Sequence, residues 1–236
     1  MSLEEVSRNF LKKILEQVEG IIYIGVQNQF IFPIIKKSGV PTVSVLYDLE
    51  GFDSVMTDNF QGGKIVAEYL CKLGHKKIGM ICGPPHDDNF SERVEGFKKG
   101  LREYGVEIKE KFFVFSLYDA GSGYHAMQKF FSFSECPTAI FAGDDILAMG
   151  AMKAIYEKKL KIPEDISIVG FDNNPFSAHL IPPLTTVKQP TEEIGKRAME
   201  ILVERIKGIS QKVHKLRIEP ELIIRESATR IKKRKR

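Results

Sequence analysis

The sequence predicts an α/β protein built on parallel sheets, and three observations carry that prediction. Short runs such as 20–25, 77–82, 138–142 and 166–171 are almost wholly apolar, as strands covered on both faces must be. Between them lie segments with apolar residues at helical spacing, and alternation of strand and helix is the pattern of a doubly wound sheet. The third observation is the stretch from Pro163 to Pro190. Its strand, Ile166–Phe171, delivers Asp172, Asn173 and Asn174 to a turn. Acids and amides at the carboxyl end of a strand lie where open α/β sheets bind ligands. Read alone, Asp172 is equally well a plain turn residue.

In chain order, residues 3–18 place Val6, Phe10, Leu11, Ile14, Leu15 and Val18 on one helical stripe, with Ser2 as N-cap. Strand 20–25 follows, then a helix over about 28–38 that stops at Gly39. Pro33 inside that helix demands a kink or a late start. Strands are expected at 41–46 and 55–57. Asp58 or Asn59 caps a helix over 60–73 that ends at Gly74. After strand 77–82 comes a polar loop, 83–89, and Ser91 opens helix 91–104. Strand 112–115, helix 122–133, strand 138–142 and helix 146–159 come next. Pro182 and Pro183 exclude a helix or a central strand and stiffen the entry to the β-prone segment 184–187. A long helix, 191–207, opens without a full capping box but with Glu192 and Glu193 in its first turn. Strands near 213–218 and 221–225 complete the order.

Composition narrows the class. At 236 residues, 43% hydrophobic and 28% charged, the chain suits a globular protein with a sizeable core. No apolar run approaches the ~20 residues of a membrane helix, and the first residues lack a secretory pattern, so a cytoplasmic protein is expected. Cys71, Cys82 and Cys136 are scattered and read as free thiols, and no cofactor or metal site is expected. The net charge of +4 misleads, because residues 230–236, RIKKRKR, hold six cations; without them residues 1–229 carry −2. That basic tail reads first as a solvated end and second as a nucleic-acid contact.

The segments PEDISIVGFDN (163–173) and PPLTTVKQ (182–189) resemble the effector-binding core of the lac repressor family of bacterial transcription regulators. Val55–Asn59, Leu73–Ile78, Arg93–Phe97, Pro137–Ala142 with Asp144-Asp145, and Ile224–Ser227 agree with it in order and spacing. The resemblance implies two Rossmann-like lobes with parallel sheets, of the periplasmic-binding-protein-like type I. The N-terminal lobe would be 1–57 plus 190–218, and the C-terminal lobe 59–187 plus 219–229. An effector would lie between them and close them to control operator binding.

The family's N-terminal DNA-reading domain, hinge helix and the first strand and helix of lobe one have no counterpart here. The first lobe is therefore expected to be incomplete, and operator DNA to be bound only through the missing part. A homodimer is expected, weakened by the same loss. The N-terminal MSL also reads like an expression scar.

The resemblance also implies ligand roles, residue by residue. Asp172 matches the family's ligand-binding acid, and Arg93 the arginine whose planar fork reaches ligand oxygens. Arg93 is expected in the first turn of its helix. Asp144 replaces the family's usual Asn, exchanging a donor-acceptor for an acceptor, while Asp145 matches a structural Asp that can cap the next helix. Asn89 falls at a position that often touches ligand, Tyr118 near an aromatic that can stack on a sugar ring, and Gln189 at a crossing. Where many relatives carry a ligand-contacting Asp after strand 42–46, this chain has Leu46, with Asp48 two residues on.

Such acids opposite an arginine suit a polyhydroxyl effector, so the expected ligand is a small molecule of the sugar class. The alternative is a sugar-binding protein of an ABC transporter. An enzyme is not expected, since no nucleophile elbow, P-loop or dinucleotide fingerprint is present and the five histidines are dispersed.

Overall fold

A computed structural model describes residues 3–25, 30–209 and 212–231. The chain divides into two compact units. Unit 1 is residues 1–57 with 190–218, and unit 2 is 58–189 with 219–236. The main chain passes from one to the other after Thr57, Gln189 and Ile218. Among the described residues no helix is long and apolar enough to cross a membrane.

Unit 1 holds strands β1 (Ile21–Ile24), β2 (Thr42–Val45) and β3 (Asp53–Thr57), and helices α1 (Leu3–Leu15) and α2 (Phe32–Ser38). From the later part of the chain come α7 (Thr191–Ile206) and β9 (Lys215–Ile218). The sheet order is β1-β2-β3-β9, all parallel. Ile194, Ala198, Ile201 and Leu202 of α7 pack on Val43, Val45 and Val55. β1 forms one edge, with Ile24 exposed at 68%. α1 ends at Leu15 rather than Val18, and of its stripe Leu15 is buried while Phe10 and Ile14 are exposed. The Ser2 cap lies outside the described residues. Of the two options Pro33 left, the late start is found: it sits in the first turn of α2, where its missing N–H costs nothing. Gly39 then closes the helix in the left-handed region at φ 71°.

Unit 2 holds α3 (Asn59–Lys72), β4 (Ile78–Cys82), α4 (Asp88–Glu103), β5 (Phe113–Phe115), α5 (Ala120–Phe131), β6 (Ala139–Ala142), α6 (Asp145–Glu157), β7 (Ser167–Asp172), β8 (Thr185–Lys188) and β10 (Glu221–Ile223). Its sheet runs β10-β8-β7-β6-β4-β5, parallel except for β10. The inner strands β4, β6 and β7 are buried on both faces. Met80, Phe141 and Phe171 point to the side of α3 and α4, and Ile81, Ile140 and Ile168 to the side of α5 and α6. α3 and α4 cross at backbone contact: a Cβ on Gly96 would lie 1.8 Å from the Phe60 carbonyl oxygen. That approach fixes the start of α3 against the first half of α4, where the side chains described next originate.

Several boundaries differ from the sequence expectation, and side-chain caps explain them. α4 starts at Asp88, because the Asp87 carboxylate accepts from the Asn89 N–H; Ser91 is already inside the helix, and Arg93 lies in its second turn. α5 starts at Ala120, since Asp119 accepts from the Ser122 N–H. Asp58, not Asn59, caps α3, and β10 stops at Ile223.

Two family-like segments are fasteners. Ser227 accepts from the Thr185 N–H and donates to the Ile168 carbonyl, joining β8 to β7. Arg225 donates to Ser177 Oγ, the Leu184 carbonyl and Asn173 Oδ1, holding the loop after β7.

Candidate functional site

The candidate site lies in unit 2, at the carboxyl ends of β4, β6, β7 and β8. Its centre is Arg93, a cation only 4% exposed. A buried guanidinium must find acceptors for its donors. Nε donates to Asn59 Oδ1 at 2.8 Å, and Nη1 to the Gly143 carbonyl at 2.6 Å. Nη2 stands 3.7 Å from Asp172 Oδ1. The guanidinium lies over the Phe171 ring at 3.7 Å, with the Phe90 ring at 4.8 Å. One side chain thus ties α4 to the start of α3, to the turn after β6 and to the end of β7.

From Arg93 the network runs both ways. On one side Gln189 Nε2 donates to Asp172 Oδ1 at 2.5 Å. On the other, Asn59 Nδ2 donates to Asn89 Oδ1 at 3.0 Å. The Asn89 N–H donates to Asp87, whose second oxygen accepts from the Tyr118 hydroxyl at 2.9 Å. The Tyr118 ring meets Phe90 edge-on, 5.7 Å between centroids. All six residues singled out in the sequence fall within this cluster: Asp172, Arg93, Asp144, Asn89, Tyr118 and Gln189.

The capping role expected of Asp145 falls to its neighbour Asp144, while Asp145 remains structural in another way. Asp144, not Asp145, caps α6: its Oδ1 accepts from the Leu147 N–H at 2.6 Å. Asp145 is fully buried and instead accepts from the Thr186 hydroxyl at 2.6 Å and the Asn174 N–H at 2.7 Å. It pins the loop that carries Asp172. The reason is backbone direction: Asp144 is extended, the conformation of a capping residue, and Asp145 is the first helical residue.

Asp172 at φ 107° and Asn173 at φ 53° both occupy conformations unusual for residues with a Cβ. The Asn173 N–H donates to Thr186 Oγ1, and its side chain accepts from Arg225, so the loop is held from several sides.

Burial governs the acids. It pushes Asp144 up to about 6, with the Asp172 charge adding to the rise and the Leu147 N–H and Arg93 opposing it. It pushes Asp145 up to about 7. It also raises Asp172, against the pull of Arg93 and Gln189. Two of these carboxylates, Asp144 and Asp172, feel the Arg93 charge, an arrangement that suits a ligand bringing hydrogen-bond donors.

Sequence reasoning passed over Asn59 as a binding-site residue, and Asp87, Phe90 and Phe171. Asp87 was read as part of a polar loop; its signal was the helix-capping pattern just before an apolar-periodic segment. The aromatic pair carried no signal apart from the fold.

Comparisons with known proteins bear on the family and the fold. Residues 67–228 match the family described as periplasmic binding protein-like domain. The chain is similar to the HTH-type transcriptional repressor PurR of Escherichia coli O1:K1, 37% identical over 175 residues, or 74% of this chain and 51% of that protein. It is similar to PurR of Pasteurella multocida, 39% identical over 74% of this chain and 52% of that one. The chain thus spans about half the length of these curated relatives.

Among solved structures, a complex of the transcriptional regulator CelR with cellobiose superposes with a TM-score of 0.86 at 29% identity, covering 95% of this chain and 69% of that one. A regulator of the LacI family from Enterococcus faecium with bound ribose gives 0.82 at 29% identity, covering 96% and 85%.

The raised Asp144 has a measurable consequence. A carboxyl raised in the folded state binds its proton more tightly there, so its charged form opposes folding above pH 6. That penalty fades as the pH falls from 6 towards the unfolded value near 4. Asp144→Asn keeps an acceptor for Leu147 and removes the charge. The variant should be more stable than the parent by about 1–3 kcal/mol at pH 8, with the gap falling to about half of that at pH 5. Urea unfolding at the two pH values checks this; a gap that is absent at pH 8, or constant across pH, contradicts it.

Proposed function

Since the chain belongs to the periplasmic binding protein-like domain family, and within it to the lac repressor family of regulators, we propose that the Arg93–Asp172 cluster binds its effector. The observation that carries this reading is the single path Tyr118–Asp87–Asn89–Asn59–Arg93–Asp172–Gln189 at the strand ends, hydrogen-bonded at every step except the 3.7 Å ion pair between Arg93 and Asp172. A purely structural network would not need a strained aspartate and a second acid beside one buried cation. The effector class is a sugar or similar polyhydroxyl molecule. Vicinal hydroxyls donate to Asp172 and Asp144 and accept from Arg93, and Tyr118 offers a ring face. The cellobiose and ribose named with two similar structures support the class without naming the molecule.

In this reading the two units act as the two lobes of a sensor. Gln189 is the last residue of unit 2 before the chain crosses into unit 1, and it bonds Asp172. A ligand that takes the Asp172 oxygen competes with Gln189 and so acts on that crossing. The protein works in the cytoplasm as a regulator, not an enzyme, and operator DNA is read by a segment other than this one. The transporter alternative finds no support among the relatives, which are named as transcriptional regulators.

Self-association fits the outer face of α6. Ile146, Met149 and Tyr156 share one helical face and are exposed, Tyr156 at 80%. Together they suit a second copy of the chain.

Two measurements test these readings. In calorimetry against a sugar panel, Asp172→Ala and Arg93→Ala should each cost about 2–4 kcal/mol of binding. Parent-like affinity in both removes the cluster from the binding site. In sedimentation, Met149→Asp with Tyr156→Asp should shift a dimer to monomer without altering sugar affinity. An unchanged dimer places the contact elsewhere.

A further inference from the structure

We propose that the effector carries a protonated amine beside its hydroxyls, and that Asp144 is the residue that selects it. This inference rests on the reading of the Arg93–Asp172 cluster as the effector site, and it narrows the class of molecule taken there.

Asp144 and Asp172 both feel the charge of Arg93, a single cation. The other acids of the cluster add no cation to that balance. Asp145 accepts from the Thr186 hydroxyl and the Asn174 N–H, and Asp87 from the Asn89 N–H and the Tyr118 hydroxyl, all neutral groups. Two carboxylates beside one guanidinium leave one negative charge without a counterion among the described residues. Asp144 is only 7% exposed, and buried charges are paired or hold a metal. Among the described residues no three His, Cys, Asp or Glu side chains gather as metal ligands, so the counterion is expected from the ligand.

The α6 cap does not require the charge. Asp144 Oδ1 accepts from the Leu147 N–H at 2.6 Å, with weaker support from the Ile146 N–H. An asparagine carbonyl can accept in the same place, and Asn and Asp cap helices about equally well. The helix dipole does favour an anion at this end. Burial and the Asp172 charge nevertheless outweigh the amides and Arg93, and the carboxyl is pushed up to about 6. The charge of Asp144 thus works against the fold, and a bound cation turns it into an attraction.

Asp172 supplies the second contact. Gln189 Nε2 and Arg93 Nη2 both approach its Oδ1. Among the described residues no donor stands at Oδ2, and with the side chain 27% exposed that oxygen is open to a ligand. An ammonium is a compact charge with three N–H donors and no acceptor. It can serve Asp144 and Asp172 together. A hydroxyl in its place offers one donor and brings an oxygen that two carboxylates repel. A sugar phosphate would add further negative charge beside the one already uncompensated. Arg93, bonded to Asn59 and Gly143, stays in place to donate to a neighbouring hydroxyl.

The test is calorimetry at about pH 7, where a carboxyl at about 6 is mostly ionised. The probes are matched pairs on one scaffold: glucosamine with glucose, galactosamine with galactose, and mannosamine with mannose. In the parent, the amine of at least one pair should bind about tenfold or more tighter than its hydroxyl partner, the worth of one charge-assisted bond. In Asp144→Asn that preference should fall to about twofold or less. N-acetylation of the same amine, which removes its charge, should abolish the preference in the parent.

Amines that bind no tighter than their hydroxyl partners, or that all fail to bind, overturn the proposal. So does a preference that survives in Asp144→Asn. Asp172→Ala separates this outcome from the site itself. Neutral sugars that bind the parent and lose affinity in Asp172→Ala keep the site and remove only the amine.

Discussion

A guanidinium taken out of water has to be neutralised and hydrogen-bonded, and the way Arg93 meets that demand organises unit 2 around its site. Desolvating such an ion costs several kcal/mol. Against this stand charge-assisted bonds to Asn59 and Gly143, worth about 1.5–3 kcal/mol each, and stacking on Phe171 and Phe90 worth up to about 2 kcal/mol. Asp172, at 3.7 Å, is farther than a tight ion pair. A ligand hydroxyl bonded to both groups would complete what the protein leaves long.

The same economy appears in the backbone. Asp172 and Asn173 sit at φ 107° and 53°, each costing about 1–3 kcal/mol. Asp145, Thr186, Asn174 and Arg225 hold that loop from below and behind. The fasteners come from α6, from β8, 13 residues on, and from the segment after β10, 52 residues on. That explains why PPLTTVKQ and IRES accompany PEDISIVGFDN: the three segments close one loop. Their job is to present one carboxylate in a conformation it would not otherwise keep.

The strands and helices of unit 2 were legible because period and punctuation coincide in them. Apolar runs such as Ile78–Cys82 and Ser167–Phe171 end at Gly or Asp, and α3 and α4 begin at acids. Helix starts were read late where several capping residues follow one another: Asp87, Asp88, Asn89 and Ser91 all qualify, and only the three-dimensional course of the chain selects Asp87. The passing of the α6 cap from Asp145 to Asp144 has the same origin, since which of two adjacent acids caps the helix depends on where the helix begins. Asn59 and Asp87 belong to the cluster through contacts across 30 and 31 residues, to Asn89 and Tyr118 respectively, which no local pattern encodes. Arg93 was legible as a residue of interest through family resemblance, but its position in the second turn and its aromatic stack were not.

The claim that Arg93 serves as a planar fork, rather than as a charge, is tested most directly by Arg93→Lys. Lysine keeps the cation and cannot reach Asn59, Gly143 and Asp172 together, nor stack as a plane. Calorimetry with a bound sugar should show affinity reduced about tenfold or more, while unit 2 still unfolds cooperatively. Affinity equal to that of the parent, in a folded lysine variant, would contradict the account.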